Sequence, residues 1–168
     1  SGPGAAYEGS NVWGTNLAGK YPDNADFSLY SPEMYVGKGT SVEFWHWYDM
    51  ENGWDFARLE ISRDSGLNWE LLHTFTGSSG GWTIENLDLD DFSGDIIIRF
   101  RVTSDANLGL AGWYIDNISL TNHDYQDLES DTDDGWTHGG NGDTWERGFP
   151  YSGPWASFSG DTVWGTKL

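Results

Sequence analysis

Three carboxylates carry the most evident chemistry in the sequence, in the segment Asp49-Met-Glu51-Asn-Gly-Trp-Asp55. The glycine lets this segment turn, so the three carboxylates are able to converge on one hard cation. Ca²⁺ fits the pattern, because it takes about six to eight oxygen ligands and tolerates irregular loops. The alternatives are a plain solvated loop and a glycosidase-type pair of carboxylates across a sugar cleft. We expect a calcium site that includes Asp49, Glu51 and Asp55.

The charge balance favours a bound cation and excludes several partners. The 168 residues include 27 acidic and 8 basic side chains, which gives a formal net charge of −19. A chain of this charge is repelled by nucleic acid and by anionic membrane surfaces. The absence of cysteine excludes disulfides and thiolate metal sites, and no apolar run is long enough to span a bilayer. We expect no nucleic-acid partner and no membrane insertion.

Tryptophan is the second source of binding chemistry, with 11 copies in the chain. An exposed flat ring stacks on a sugar ring, although aromatic side chains more often pack in a core. The candidates for an exposed platform are Trp47, Trp54, Trp136 and Trp155. They define an alternative in which the chain is a carbohydrate-binding module.

None of the common catalytic patterns accompanies these residues. The four histidines have no metal-ligand spacing, and neither H-E-x-x-H nor G-x-S-x-G occurs. Residues 62–69 match the Asp-box pattern S-x-D-x-G-x-x-W, which we interpret as a hairpin turn and not as a catalytic element. We therefore predict that the protein is not an enzyme.

Short alternating segments must position these side chains. Residues 40–49, 57–62, 95–103 and 113–120 are rich in β-branched and aromatic residues, and most of them alternate with a period of two. Clusters of Gly, Asn, Asp and Ser separate the segments, and no long helical period occurs. The pattern predicts an all-β protein, an antiparallel β-sandwich in which each sheet buries one face.

The last of these segments changes phase in the middle. Trp113 and Ile115 share one parity, whereas Ile118 and Leu120 share the other. A β-bulge near Asp116 reconciles the two halves, because a bulge re-aims the neighbouring side chains. We therefore predict that Asp116 points where a regular strand would not direct it.

Several segments together resemble a known family of modules. The resemblance is carried by W-G-T-N-L-A-G-K-Y at 13–21, S-P-E-M-Y-V at 31–36, the long stretch 41–72 and I-I-I-R-F-R-V-T-S-D…G-W-Y-I-D-N-I-S-L at 96–120. These segments resemble the MAM-like jelly-roll modules of secreted bacterial proteins, such as immune inhibitor A-type peptidases and the cleaved-adhesin domains of gingipains. The resemblance implies a jelly-roll fold, a secreted, extracellular location and an accessory, non-catalytic role.

The same resemblance implies a structural calcium ion. Its implied ligands are the glutamate that opens such a module and the aspartate of the final strand, which correspond to Glu129 and Asp116. The loop that contains Asp49, Glu51 and Asp55 completes the implied set. The predicted bulge at Asp116 agrees with a coordinating role.

One strand sequence occurs twice, because V-W-G-T stands at residues 12–15 and at 163–166. We interpret residues 1–4 as a cloning scar and residues 5–123 as the β-sandwich core. Residues 124–168 are then an acidic linker followed by the opening strands of a repeated or circularly permuted copy. An unpaired strand is a pairing site, so the duplication also predicts self-association as an alternative.

These expectations combine into one functional hypothesis. The chain is predicted to be a non-catalytic extracellular module for accessory or adhesion roles, stabilised by Ca²⁺. It would position a secreted enzyme or bind a polymeric or cell-surface ligand, either a polysaccharide or a protein surface. The alternatives are a carbohydrate-binding module and a self-associating repeat unit that uses the duplicated strand.

Overall fold

The computed structural model describes residues 2–121, 128–129 and 132–150. These residues form strands and connecting loops, and no helix among them is long and apolar enough to cross a membrane. The strands are β1 (Val12–Gly14), β2 (Asp26–Tyr30), β3 (Met34–Val36), β4 (Ser41–Asp49), β5 (Phe56–Ser62), β6 (Glu70–Phe75), β7 (Thr83–Asp88), β8 (Gly94–Thr103), β9 (Gly112–Leu120), β10 (Thr137–Asn141) and β11 (Glu146–Gly148).

The strands form two antiparallel sheets that share one core. The first sheet has the order β11-β1-β9-β4-β7, and the second has the order β10-β2-β8-β5-β6, with β3 pairing with the start of β8. Apart from β3, β10 and β11, each strand is followed by one in the other sheet, except that β5 and β6 form a hairpin within the second sheet; eight strands in two such sheets are the arrangement of a jelly roll. The predicted all-β, antiparallel jelly-roll sandwich is confirmed.

Alternation along each strand builds the core. In β8 the side chains of Ile96, Ile98, Phe100 and Val102 are buried, while the residues between them are half-buried on the outer face. The facing sheet contributes Trp113, whose ring contacts the ring of Phe100 at a centroid distance of 5.4 Å. The alternation predicted from the sequence for residues 95–103 is therefore confirmed.

The phase change in β9 is a β-bulge. Ser119 pairs with Glu43, and Asp116 pairs with Trp45, so Asn117 and Ile118 together face a single residue of β4. Asn117 has a φ of 49°, in the left-handed region that asparagine tolerates better than most residues. The bulge predicted near Asp116 is confirmed, and it keeps Trp113, Ile115 and Ile118 in the same core.

A compact turn joins β5 to β6. The carboxylate of Asp64 accepts hydrogen bonds from the backbone N–H and the side-chain amide of Asn68, at 2.8 and 2.7 Å. The indole N–H of Trp69 donates to the carbonyl of Gly66 at 3.0 Å. These bonds stay within the turn, so they account for the residue pattern by local structure alone.

Both sheets gain an edge strand from the C-terminal part of the chain. β10 pairs with β2 along five residues, and β11 pairs with β1 along three. Trp145, which precedes β11, is buried and contacts Trp113 at a centroid distance of 6.3 Å. Residues 137–148 therefore pack against the strands of the first 120 residues.

A histidine lies in the middle of this apolar core. His46 is 2% exposed, and its Nδ1 accepts a hydrogen bond from the indole N–H of Trp113 at 3.2 Å. The ring of Phe75 contacts it edge-on at 4.6 Å. Burial lowers the pKa of His46 to about 4, with a smaller contribution from His73, so the imidazole is neutral at pH 7.

We predict that acid destabilises the fold through His46. The unfolded chain protonates this group near pH 6.5, whereas the folded pKa is about 4. The folded state thus binds fewer protons between these values, and stability that is present above pH 6.5 is lost as the pH falls towards 4. Going from pH 7 to pH 5 should cost roughly 2 kcal/mol through this group, as measured by urea unfolding.

Two variants test whether His46 causes this pH dependence of stability. His46→Gln should flatten this part of the pH dependence, whereas His73→Gln, at an exposed position, should keep most of it. Equal pH slopes for His46→Gln and the unchanged chain would contradict the assignment.

Candidate functional site

A cavity of about 550 Å³ lies between three loops. These loops join β4 to β5, β6 to β7 and β8 to β9. Residues lining the cavity include Asp49, Glu51, Asn52, Ser78, Leu108 and Leu110. The wall combines carboxylates, an amide, a hydroxyl and two leucines, which is the mixed lining typical of ligand sites.

Three carboxylates meet at Glu51, which lines this cavity. Oxygen atoms of Glu51, Asp55 and Asp105 all lie within 4.8 Å of one another. Glu51 and Asp55 belong to the turn after β4, where the backbone N–H of Asp55 donates to the carbonyl of Glu51 at 3.0 Å. Asp105 comes from the loop after β8. We call Glu51, Asp55 and Asp105 the loop cluster.

Hydrogen bonds hold the buried member of the loop cluster in place. The carboxylate of Asp55, which is fully buried, accepts a hydrogen bond from the hydroxyl of Tyr21 and another from the backbone N–H of Asp105 at 2.9 Å. Burial raises the pKa of Tyr21, and its bond to Asp55 raises it further, so the phenol remains a donor. Asp55 therefore fixes the position of the loop that carries Asp105.

The first member of the loop cluster is electrostatically uncompensated. The Oε2 atom of Glu51 is shielded from solvent and has no hydrogen-bond partner in the described part of the chain. Desolvation raises the pKa of this carboxyl, and the charges of Asp105 and then Asp55 raise it further. A divalent cation between the three oxygens would relieve both the repulsion and the missing partner.

The loop cluster agrees only partly with the residues predicted from the sequence. Glu51 and Asp55 are brought together as expected, but the third carboxylate is Asp105. Asp49 pairs with Gly112 at the end of β4 and lines the same cavity without belonging to this group. Asp105 was missed because it lies far from the other two in sequence, and only the β5–β8 pairing makes them neighbours.

The other two predicted ligands, Asp116 and Glu129, hold the N-terminal loop. Asp116 accepts hydrogen bonds from the backbone N–H groups of Tyr7, Glu8 and Asn117, at 2.8, 3.1 and 2.8 Å. Glu129 accepts bonds from the N–H groups of Ser10 and Asn11, each at 2.7 Å. These two carboxylates are not members of the loop cluster among the described residues.

Asp116 is strongly perturbed by its surroundings. Burial raises the pKa of Asp116 to about 7, against the three backbone N–H groups that lower it, and the charge of Glu129 raises it further. Nearby, Oδ1 of Asn117 is buried without a partner in the described residues, while its amide donates to Glu8 at 2.9 Å. The oxygens around Asp116 are therefore a second place where a cation would offset negative charge.

The predicted tryptophan platform is dispersed in the structure. Trp54 is 65% exposed and stands three residues after Glu51, in the turn between β4 and β5. Trp47 is half-buried and packs edge-on against Tyr114 at 5.5 Å. Trp136 is 6% exposed and packs near Phe100, which corrects the expectation of an open ring face there. Trp155 lies outside the described residues.

Sequence comparison places the chain beside segments of bacterial peptidases. No family model matches it. It is 32% identical to Bacillopeptidase F of Bacillus subtilis over 124 residues, which is 72% of this chain and 9% of that protein. It is also 23% identical to the pre-pro-metalloprotease PrtV of Vibrio cholerae over 128 residues, 62% of this chain and 14% of that protein. The predicted resemblance to a peptidase-associated module is confirmed.

The chain spans only a small part of either peptidase, so the similarity concerns one segment of each peptidase and not the whole enzyme. Among solved structures, TmCBM61 in complex with β-1,4-galactotriose aligns with a TM-score of 0.42 and 22% identity, over 70% of this chain and 74% of that one. A likeness this distant carries no argument about the ligand.

Proposed function

We propose that the chain is a non-catalytic accessory module of a secreted peptidase, and that it works outside the cell with bound calcium. The match to Bacillopeptidase F carries the proposal, because it covers most of this chain and 9% of the peptidase. A segment of that size within a much longer enzyme is suited to positioning the enzyme or to holding a polymeric or cell-surface ligand. The absence of common catalytic motifs in the sequence agrees with this role.

Calcium is proposed from the loop cluster. Ca²⁺ prefers carboxylate and carbonyl oxygens at about 2.3–2.6 Å, and it accepts irregular geometry. Glu51 supplies a shielded oxygen that has no partner among the described residues, and Asp105 supplies a second carboxylate close to it. Asp116 and Glu129, which the resemblance assigned to the same ion, lie outside the loop cluster and are proposed here as ligands of a second ion. Asp49 remains a proposed contributor at the cavity wall.

We predict that calcium raises the melting temperature of the chain. A ligand at 100 times its dissociation constant adds about 2.7 kcal/mol to the free energy of unfolding. For a chain of this size, that corresponds to a shift of roughly 5–10 °C between EDTA and saturating CaCl₂. Differential scanning calorimetry measures this shift directly.

Single variants assign the shift to a site. Glu51→Gln and Asp105→Asn should each remove most of it if the loop cluster binds the ion, whereas Glu129→Gln should remove it if the ion lies near Asp116. Asp91→Asn, an exposed carboxylate outside both groups, is the matched control and should leave the shift intact. Identical melting in EDTA and CaCl₂ would contradict the calcium proposal.

A second candidate function is polysaccharide binding at the same cavity. The observation that favours it is the exposed ring of Trp54 in the same turn as Asn52, which lines the cavity together with carboxylate and hydroxyl groups. An aromatic ring covers the apolar face of a sugar, while polar groups around it bond the hydroxyls. The Leu108 side chain, also exposed, extends the apolar part of this surface.

We predict that Trp54→Ala weakens retention on polysaccharide. The measurement is depletion of the chain from solution by a panel of insoluble polysaccharides, where loss of a stacking ring should weaken binding at least about tenfold. Leu67→Ala is the control, because Leu67 is an apolar side chain in a different turn and is even more exposed than Trp54. The candidate fails if no polysaccharide retains the unchanged chain, or if both variants bind alike.

A further inference from the structure

Strand β1 fills an internal position in the first sheet. It pairs with β9 on one side, where Trp13 faces Ile115, and with β11 on the other, where Val12 faces Gly148. Trp13 enters the main core and Val12 packs on the outer face of the sheet, and both are almost fully buried. We call this position, between β9 and β11, the β1 slot.

The β1 slot makes specific demands on the strand that fills it. At Gly14, a Cβ atom would lie 2.6 Å from Leu17 and 2.9 Å from Tyr114, so a larger residue does not fit without displacement. Thr15 bonds Trp113 twice, because its N–H donates to the carbonyl at 3.0 Å and its Oγ1 accepts from the N–H at 2.9 Å. The slot therefore selects glycine followed by threonine.

The residues before and after the strand are also used. Tyr7 stacks on Trp45 with ring centroids 3.6 Å apart, and the backbone of Gly9, at φ 64°, passes against Glu129 without room for a Cβ. Leu17 is 7% exposed and belongs to the same group of buried side chains as Val12 and Tyr114. An aromatic residue, a glycine, V-W-G-T and a leucine are thus required at fixed spacing.

The second copy of the strand meets every one of these demands. Residues 157–168 lie outside the described part of the chain, and their sequence is S-F-S-G-D-T-V-W-G-T-K-L. Phe158 and Gly160 correspond to Tyr7 and Gly9. The remaining matches are Val163, Trp164, Gly165, Thr166 and Leu168, at the same spacing as residues 12–17. Coincidence does not reproduce the aromatic, the two glycines and the leucine together.

We propose that the β1 slot is a docking site for a V-W-G-T strand and that a second copy of this chain supplies the occupant. The slot holds one strand, residues 157–168 carry a second sequence that meets its demands, and a neighbouring molecule offers an identical slot. Residues 157–168 of one molecule replace residues 6–17 of the other in a reciprocal strand exchange. The proposal is independent of the loop cluster and of polysaccharide binding.

The free energy of strand exchange determines how strongly two molecules should associate. Exchange replaces each buried contact by an equivalent one, so it gains little free energy beyond that of the original strand. Association is then weak and depends on concentration, and it becomes strong only where copies are held close together. Weakening the N-terminal strand of each chain shifts the balance towards exchange.

The first test uses Gly165→Val, which spoils the C-terminal copy and leaves all described residues unchanged. Light scattering from dilute to roughly millimolar protein should detect dimers of the unchanged chain, and the variant should reduce the dimer fraction at least about tenfold with an unaltered melting temperature. Gly81→Val is the control, because a Cβ at Gly81 meets nothing within 4 Å. A strict monomer at every concentration overturns the proposal.

The second test is a double-mutant cycle with Gly14→Val. If the second copy replaces the spoiled strand, Gly14→Val alone should form stable dimers, whereas Gly14→Val with Gly165→Val should lose both the dimer and the stability. Equal destabilisation of the single and double variants overturns the proposal. A stable monomeric Gly14→Val overturns it too, because the copy would then act within its own chain.

Discussion

The surplus of carboxylates over cationic side chains is the constraint on which the structure depends. With 27 acidic and 8 basic residues, ion pairing cannot neutralise most acids, so buried carboxylates must find other donors. Asp116 takes three backbone N–H groups, and Asp55 takes the hydroxyl of Tyr21 and the N–H of Asp105. These bonds fix the N-terminal loop and the β8–β9 loop. The buried carboxylates therefore add negative charge to the fold and also hold its irregular segments in place.

The cationic residues that exist are concentrated where a buried acid needs them. Glu60 is almost fully buried on the outer face of the second sheet, and its carboxylate pairs with Arg99 at 2.5 Å and Arg101 at 3.7 Å. Arg101 also forks across Asp26, with two bonds of 2.7 Å. Glu51 has no cationic partner, because no basic side chain of the described residues forms an ion pair with it. The contrast explains why a cation from solution is expected at the loop cluster and not at Glu60.

Periodicity predicted most of the fold, since the period of two along β8 and the phase change in β9 follow directly from how strands expose side chains to two faces. Contacts between distant segments were not predictable in the same way. Asp105 joins Glu51 and Asp55 only through strand pairing, and Trp136 could not be distinguished from an exposed platform because a tryptophan suits both places. The sequence pattern identified the β4–β5 loop of the candidate site. The β8–β9 loop, which carries Asp105, is brought beside it only by the pairing of β5 with β8.

Chain order around the first sheet explains why a duplicated strand matters here. β11 comes from the C-terminal part of the chain and β1 from its beginning, yet they are neighbours, so the two ends of the described chain meet at one place. The first V-W-G-T sequence precedes β2 along the chain, and the second follows β11. In a jelly roll without a duplicated strand, a single segment of the chain has the sequence that suits each position, and its hydrophobic pattern fixes the pairing register. Under the proposed exchange two V-W-G-T sequences would compete for the same hydrogen bonds, and local concentration would decide which copy occupies the slot.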